Sequence, residues 1–323
     1  MIYNVGITGS GSLIGQGIIK SIKNSKYAVN YKLIGFDYFT NTVGSFWCDE
    51  NYILPDLLSE EVSEKEWLTL LVEKIKKENL DILFVGVDFE LPILAKEKAS
   101  IEKETNCKII VSSNEVITVG NDKYLTYLFL KENGLNYPKT FLPEEINNEN
   151  LDFPLIVKPR VGARSVGVYK VNSLSELNDK LSIVKDPIIQ ECIGDDSTEY
   201  TCGVLFLDDE LKAQIPLKRS LKAGNTYTSE YNESFSEKIL EYVKEIAEKL
   251  KPYGSCNLQL RLDKNGIPKL FEINPRHSGT TYMRTLFGYN EVIYILKSVL
   301  EKETIKFSLK NGKAIRFYDE KLI

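Results

Sequence analysis

The chain has 323 residues, a net charge of −5 and a single histidine. That length supports a large core divided among two or three domains, and the mild, mixed charge argues against a nucleic-acid partner. A lone histidine, His277, excludes His-rich metal sites and any histidine-based triad. There is no run of about eighteen apolar residues and no basic-then-apolar amino-terminal signal, so no membrane partner is expected. Cys48, Cys107, Cys192, Cys202 and Cys256 lack C-x-x-C spacing and suit reduced thiols, which makes the cytoplasm the expected setting.

Residues 2–7 read as a β-rich apolar strand. Thr8-Gly-Ser-Gly-Ser-Leu-Ile-Gly15 follows, then a helix to about Lys23 and a second strand at Lys32–Phe36 ending in Asp37. This strand, glycine turn, helix and strand have the layout of a dinucleotide-binding unit. The spacing is G-x-G-x-x-x-G, however, and a tight turn needs glycines in any doubly wound fold. Trp67–Glu78 has amphipathic helical spacing. Asp81–Val87 is a near-continuous apolar strand of the kind a parallel sheet buries on both faces. Asp88 and Glu90 lie past its carboxyl end, where open α/β sheets collect ligand-binding residues and where solvated loop residues also lie. Another helix runs from Pro92 to about Thr105, and Cys107–Val111 is a strand. The first domain is expected to close near residue 114.

Asn121 or Asp122 caps a helix reaching about Asn133, with Gly134 as its stop. Phe153–Pro159 is a short strand carrying Lys158 near its end. The Gly/Ser-containing turn Arg160–Gly167 links it to a strand at Val168–Val171. Such a turn can fold its N–H groups over phosphates, and it also suits a plain hairpin tip. Ser173–Leu181 reads as a helix with Glu176 at the capping-box position. Strands are expected at Pro187–Ile193, Glu199–Phe206 and Leu211–Pro216. After them come a polar segment, Lys218–Glu230, and a long amphipathic helix, Ser236–Lys251. Glu291–Leu300 reads as a helix and Ile305–Phe317 as a strand pair.

The most informative stretch is Asn257–Arg276. Asn265-Gly266 between two extended runs signals a hairpin with a type I′ turn. Those two residues at the tip set Gln259 opposite Glu272. Period-two alternation then places Leu258, Leu260, Phe271 and Ile273 on one face, with Asn257, Gln259, Glu272 and Asn274 on the other. Converging oxygen-bearing side chains suit a hard cation such as Mg²⁺, whose shell a substrate's phosphates complete. A solvated polar face would show the same pattern. Arg276 follows as a permanently charged fork for phosphate or carboxylate.

Taken in order, Leu155-Ile-Val-Lys158-Pro, the glycine loop, Gln190-Glu191-Cys-Ile, Glu199, Gln259 and Glu272-Ile-Asn274-Pro-Arg276 resemble the ATP-grasp enzymes. The likeness is nearest to one unit of the carbamoyl phosphate synthetase large subunit and to related carboxylate–amine ligases. In the D-alanine–D-alanine ligase branch an aspartate usually stands at the Gln259 place. The resemblance implies an α/β fold, α+β in its ATP-binding lobes. A doubly wound pre-ATP-grasp domain would span residues 1–114 and a linker helix 115–137. A small mobile lobe would follow at 138–186, and a large lobe with the metal site at 187–323. It implies ATP and Mg²⁺ as cofactors, with Mn²⁺ admissible.

Carried over by position, Lys123 and Lys158 would contact the ATP phosphates. Gly162, Ser165 and Gly167 belong to the loop that would close over them. Glu191, Cys192 and Ile193 would meet the adenine edge and Glu199 the ribose. Gln259, Glu272 and Asn274 would hold the metal, Arg276 the transferring phosphoryl group, and Arg219 the triphosphate or substrate. His277, beside Arg276, is more readily a neighbour than a base. The implied activity joins a small carboxylic acid to an amine through an acyl phosphate, releasing ADP and phosphate. The alternatives are a single-unit carbamoyl phosphate synthetase-like enzyme acting on bicarbonate or carbamate, an NAD(P)-binding dehydrogenase, and a non-catalytic nucleotide-binding protein. A homodimer is allowed by this reading but not required.

Overall fold

A computed structural model gives the protein's structure and describes residues 2–146, 151–162, 165–235, 237–320 and 322. The first domain runs β1 (Tyr3–Ile7), α1 (Leu13–Lys23), β2 (Tyr31–Asp37), α2 (Gly44–Trp47), β3 (Glu50–Ile53), α3 (Glu64–Lys77), β4 (Ile82–Phe84), α4 (Leu91–Thr105) and β5 (Lys108–Ile110). Its strands are parallel in the order β3-β2-β1-β4-β5. The winding direction therefore reverses between β1 and β4, and the crevice at their carboxyl ends is where such sheets take ligands. Close packing there explains the glycines. A Cβ on Gly15 would lie 2.2 Å from the Gly9 carbonyl oxygen, and one on Gly86 would lie 2.1 Å from that of Thr8.

The same turn removes the basis for the dinucleotide reading. Asp37 is buried, and one of its oxygens accepts the Gly11 N–H and the Thr42 hydroxyl, both at 2.7 Å. The other accepts the Tyr38 N–H at 2.8 Å. A carboxylate spent on its own loop is not available to a ribose.

Two helices form the linker where the sequence suggested one: α5 (Asn114–Asn121), capped by Ser113, and α6 (Lys123–Glu132), capped by Asp122. The next sheet contains β6 (Thr140–Phe141), β7 (Leu155–Pro159) and β8 (Tyr169–Val171), followed after α7 (Leu174–Leu181) by β9 (Pro187–Glu191). Its antiparallel order is β6-β9-β7-β8, so this small sheet extends past the lobe boundary expected at residue 187. Ser173 caps α7 by accepting the Glu176 N–H at 3.2 Å, whereas the Glu176 carboxylate reaches the Asn172 N–H rather than closing a capping box on Ser173.

The third sheet has the order β14-β13-β10-β11-β12-β15. Its strands are β10 (Glu199–Leu207), β11 (Glu210–Lys222), β12 (Asn225–Tyr231), β13 (Gly254–Leu262), β14 (Pro268–Asn274) and β15 (Gly312–Ile315). The helices α8 (Glu237–Leu250), α9 (Thr281–Leu286) and α10 (Glu291–Leu296) complete the fold. Ile239, Tyr242, Val243, Ile246 and Leu250 of α8, spaced at three and four residues, bury themselves on Val204, Leu258, Leu260, Leu270 and Ile273. The polar segment expected at Lys218–Glu230 is mostly strand, because β11 continues to Lys222 and turns into β12. Of the expected carboxyl-terminal strand pair, one strand is present among the described residues. It is β15, paired with β12 from about eighty residues earlier. The helix expected at Glu291–Leu300 is α-helical to Leu296 and continues as a π-helical turn over Lys297–Glu301.

The other face of this sheet meets the first domain. Leu205, Ile215 and Leu217 pack with Ile18 and Ile22 of α1 and with Ile293 and Leu296 of α10. At this junction Arg284 and Glu291, both fully buried, form an ion pair at 2.5 Å. Arg284 also donates to Asn257, Ser278 and Thr280 at 2.8–3.1 Å, so its protons are matched by acceptors. Arg284→Met should therefore cost about 3–5 kcal/mol, since it strands the Glu291 charge. Equilibrium denaturation would check this, and a loss below about 1 kcal/mol would contradict it.

Candidate active site

The hairpin of β13 and β14 builds the centre. Its tip differs from the expected type I′ turn. Gly266 donates to the Asp263 carbonyl at 2.9 Å and adopts φ 71°, while Asn265 is not left-handed. This is a type I-like turn followed by a left-handed glycine, and the Asp263 carboxylate braces it by accepting the Asn265 and Ile267 N–H groups. That turn displaces the register by one residue, and a bulge after Gln259 restores it. Gln259 therefore still faces Glu272 and Asn257 still faces Asn274. The bulge corrects one expectation: Leu270, not Phe271, points into the α8 core, and Phe271 lines the cleft.

Two clefts meet at this hairpin. The first, about 890 Å³, is lined by Lys123, Lys158, Gly162, Ser165, Glu191, Cys192, Ile193, Glu199, Arg219, Gln259 and Glu272. The expected nucleotide residues named here thus share one cleft. Gly167 is not on its wall. It sits at φ 72°, and a Cβ there would lie 3.2 Å from the Pro159 ring, so a side chain would be both strained and crowded. Ala163 and Arg164, within the same loop, lie outside the described residues. The second cleft, about 930 Å³, is lined by Asp88, Phe89, Pro92, Ile117, Asn121, Asn274 and Arg276 among others. Lys123, Gly162 and Glu272 belong to both.

The two lysines of the first cleft have no carboxylate in contact among the described residues. Lys158 is buried; its ammonium donates to Gln190 Oε1 at 2.8 Å and lies 5.6 Å from the Phe271 ring centre. The Gln190 amide nitrogen donates to the Thr140 hydroxyl at 2.9 Å, which fixes the amide with its oxygen toward the lysine. Burial, with Lys123 close by, pushes the Lys158 pKa down to about 7. Lys123 donates to the Gly162 carbonyl at 2.9 Å, and burial lowers its pKa also. Arg160 clamps Asp122, the cap of α6, at 2.5 Å, and thereby sets Lys123 at the first turn of that helix.

Along the hairpin face the polar side chains form one chain. Arg219 donates to Gln259 Oε1 at 2.6 Å, and Gln259 Nε2 donates to Glu272 Oε1 at 3.2 Å. Asn274 Nδ2 donates to the same Glu272 oxygen at 2.8 Å and accepts from Arg276 at 3.0 Å. Arg276 also pairs with Asp88 across the domain boundary. Glu199 receives two guanidinium groups, from Arg219 at 2.6 Å and Arg261 at 2.7 Å. The Glu191 carboxylate is held by Lys269 at 3.0 Å and the Lys139 N–H at 3.0 Å.

Among the described residues no cluster of three His, Cys, Asp or Glu side chains is placed for a metal. Glu272 supplies one carboxylate, and the Gln259 and Asn274 oxygens beside it accept from Arg219 and Arg276. Mg²⁺ is bound through one or two carboxylates when phosphates supply the remaining ligands, so Glu272 fits the ion, and the two amides would join it by turning their oxygens from the arginines. His277 is buried, its Nε2 has no hydrogen-bond partner, and burial pushes its pKa down to about 4 against the pull of Glu291. It is a neutral packing residue set edge-on to Phe84. Glu90 is also internal, hydrogen-bonded to Thr8 and Tyr38. Sequence reading assigned no role to Arg261, to Gln190 or to the Asp122–Arg160 clamp. Two of these left a signal: Arg261 is two residues from Gln259 on the same face, and Gln190 is a lone amide in an apolar strand.

Comparison with known proteins agrees with this geometry. A family profile described as "ATP-grasp in the biosynthetic pathway with Ter operon" matches residues 186–317. The chain is 30% identical over 210 residues to D-alanine–D-alanine ligase A of Bacillus cereus, covering 58% of this chain and 68% of that one. It is 26% identical over 224 residues to the carbamoyl phosphate synthase large chain of a Thermoanaerobacter species, covering 64% of this chain but only 21% of that protein. In fold it resembles the L-amino acid ligase from Bacillus licheniformis, with a TM-score of 0.70 at 18% identity over 93% of this chain and 74% of that structure. No helix among the described residues is long and apolar enough to cross a membrane. On the sequence match, the shared architecture and the two clefts meeting at Glu272, the chain belongs to the ATP-grasp family of ligases.

Proposed function

We propose that this protein joins a small carboxylic acid to an amine at the expense of ATP, through an acyl phosphate, with ADP and phosphate as products. The observation that carries this is the position of Glu272, Lys123 and Gly162 on the wall between the two clefts. A nucleotide in the first cleft would direct its terminal phosphate toward an acid in the second. A carboxylate is a poor electrophile because its leaving group would be oxide. Transfer of a phosphoryl group to it makes phosphate the leaving group, and that transfer asks chiefly for alignment and charge neutralisation.

In this reading Lys158 and Lys123 receive the phosphates. Cys192 and Ile193 border the base, Glu191 shapes that edge, and Glu199 meets the ribose in exchange for part of its contact with Arg219 and Arg261. Gln259, Glu272 and Asn274 hold Mg²⁺, or Mn²⁺ in its place, which would neutralise phosphate charge when bound. Arg276 and Arg219 flank it and steady the transferring group. The four-stranded sheet, with Gly162, Ser165 and Gly167 at its edge, acts as a lobe that admits ATP and then excludes water. Hydrogen exchange at Ser165–Val168 should slow at least severalfold on adding MgATP, and equal exchange with and without nucleotide would remove the lobe from the mechanism.

The test of the reaction is trapping. With the correct acid, hydroxylamine should yield a hydroxamate and ADP. AMP as the nucleotide product would instead mean attack at the α-phosphorus and overturn the acyl phosphate. Turnover with bicarbonate would favour the carbamoyl phosphate-like reading.

A further inference from the structure

Arg276 is held by three acceptors of different kinds. Nη1 donates to the His277 carbonyl at 2.8 Å and Nη2 to Asn274 Oδ1 at 3.0 Å, both on its own segment. Nε reaches Asp88, which follows β4 in the first domain and is the only charged partner among the described residues. The exposures of the two side chains differ: 10% for Arg276 and 52% for Asp88. The guanidinium cannot exchange this partner for bulk water cheaply, whereas the carboxylate can. Both line the second cleft, together with the apolar Phe89, Pro92 and Ile117.

We infer that Asp88 is a positioning residue that occupies Arg276 in the empty enzyme and yields it to the carboxylate of the acid substrate. The exchange is one carboxylate for another. Arg276 keeps a counter-ion throughout, and the half-exposed Asp88 swings into solvent. Until an acid arrives, the arginine is withheld from the phosphoryl group, which suppresses hydrolysis of ATP by water. The inference rests on the ligase reading for the identity of the second cleft's occupant, and it ties the first domain directly to the reaction.

Asp88→Asn keeps an oxygen for Nε and removes the competing charge. An ion pair with one half-exposed partner contributes modestly. Calorimetric titration of the nucleotide-free protein with acetate, as the minimal carboxylate, should therefore show roughly three- to tenfold tighter binding in Asp88→Asn. Asp88→Glu should match the wild type. Hydrolysis of MgATP without any acid should rise severalfold in Asp88→Asn, with KM for ATP unchanged. A merely structural role predicts weaker acetate binding, lower thermal stability and no gain in hydrolysis, and that outcome would overturn the inference. Unchanged acetate affinity in a folded Asp88→Asn would do so equally. The acetate titration needs no turnover, so its result stands apart from hydroxamate trapping. A wild type that yields no hydroxamate with any acid would refute the ligase reading instead.

Discussion

Glu272→Gln is expected to lower MgATP turnover by roughly a hundred- to a thousandfold while leaving the fold intact. The substitution preserves shape, so Gln259 and Asn274 retain an oxygen to bond where they now donate at 3.2 and 2.8 Å. What is lost is the only carboxylate of the proposed donor set, and with it the negative charge that would draw a divalent cation between Lys123 and the arginines. Gln259 and Asn274 alone would offer two neutral amides, too weak a field to hold Mg²⁺ away from its water shell. Because Glu272 lies on the cleft wall and not in the α8 core, the melting temperature should stay within a few degrees of the wild type. Steady-state ADP release across a magnesium titration measures the effect. Wild-type turnover at limiting Mg²⁺ would reject Glu272 as a ligand.

Lys158→Met should abolish measurable ATP binding and at the same time stabilise the empty protein. Both effects come from the same burial. The ammonium rests against Gln190 and the Phe271 ring with no carboxylate in contact among the described residues, and its pKa stands near 7 rather than at 10.5. A lysine whose folded pKa lies below its unfolded one disfavours folding wherever it must be charged. The penalty is full below about pH 7 and fades as pH rises toward the unfolded value. The stability gained by Lys158→Met should accordingly be larger at pH 6 than at pH 9, by roughly 2 kcal/mol. Denaturant titrations at the two values decide it, and an equal gain at both would mean that Lys158 is not the titrating group.

The nucleotide side has the opposite appearance and the same cause. Triphosphate favours the charged lysine, so ATP binding at pH 8 should draw a proton from the buffer. Calorimetry in two buffers of different ionisation enthalpy should then disagree by close to one proton in the wild type. In Lys158→Met any residual signal should be buffer-independent.

The sequence by itself determined much of what has its cause within a few residues. Period-two alternation in β13 and β14 sets Gln259 against Glu272, and the apolar spacing of α8 defines the face that covers this sheet. Asp122 and Ser173 mark helix starts because their oxygens satisfy free N–H groups one turn on. The near-continuous apolar run in β4 implies a sheet covered on both sides, as observed. Even the wrong turn at Asn265-Gly266 did no harm, since turn and bulge displaced the register in opposite senses.

Only the tertiary structure decided which charges face one another. The approach of Arg276 to Asp88 links positions 188 residues apart, and the two arginines on Glu199 come from different strands. The pairing of β15 with β12 has the same origin. An edge strand with polar alternation looks irregular until a distant segment supplies its hydrogen-bond partners. Phe271 makes the point within one strand. A bulge is a response to packing on both sides of a sheet, and it turned a residue with core-like chemistry onto the wall of the first cleft. Charges and bulges are settled by what lies across space, which a one-dimensional pattern does not encode.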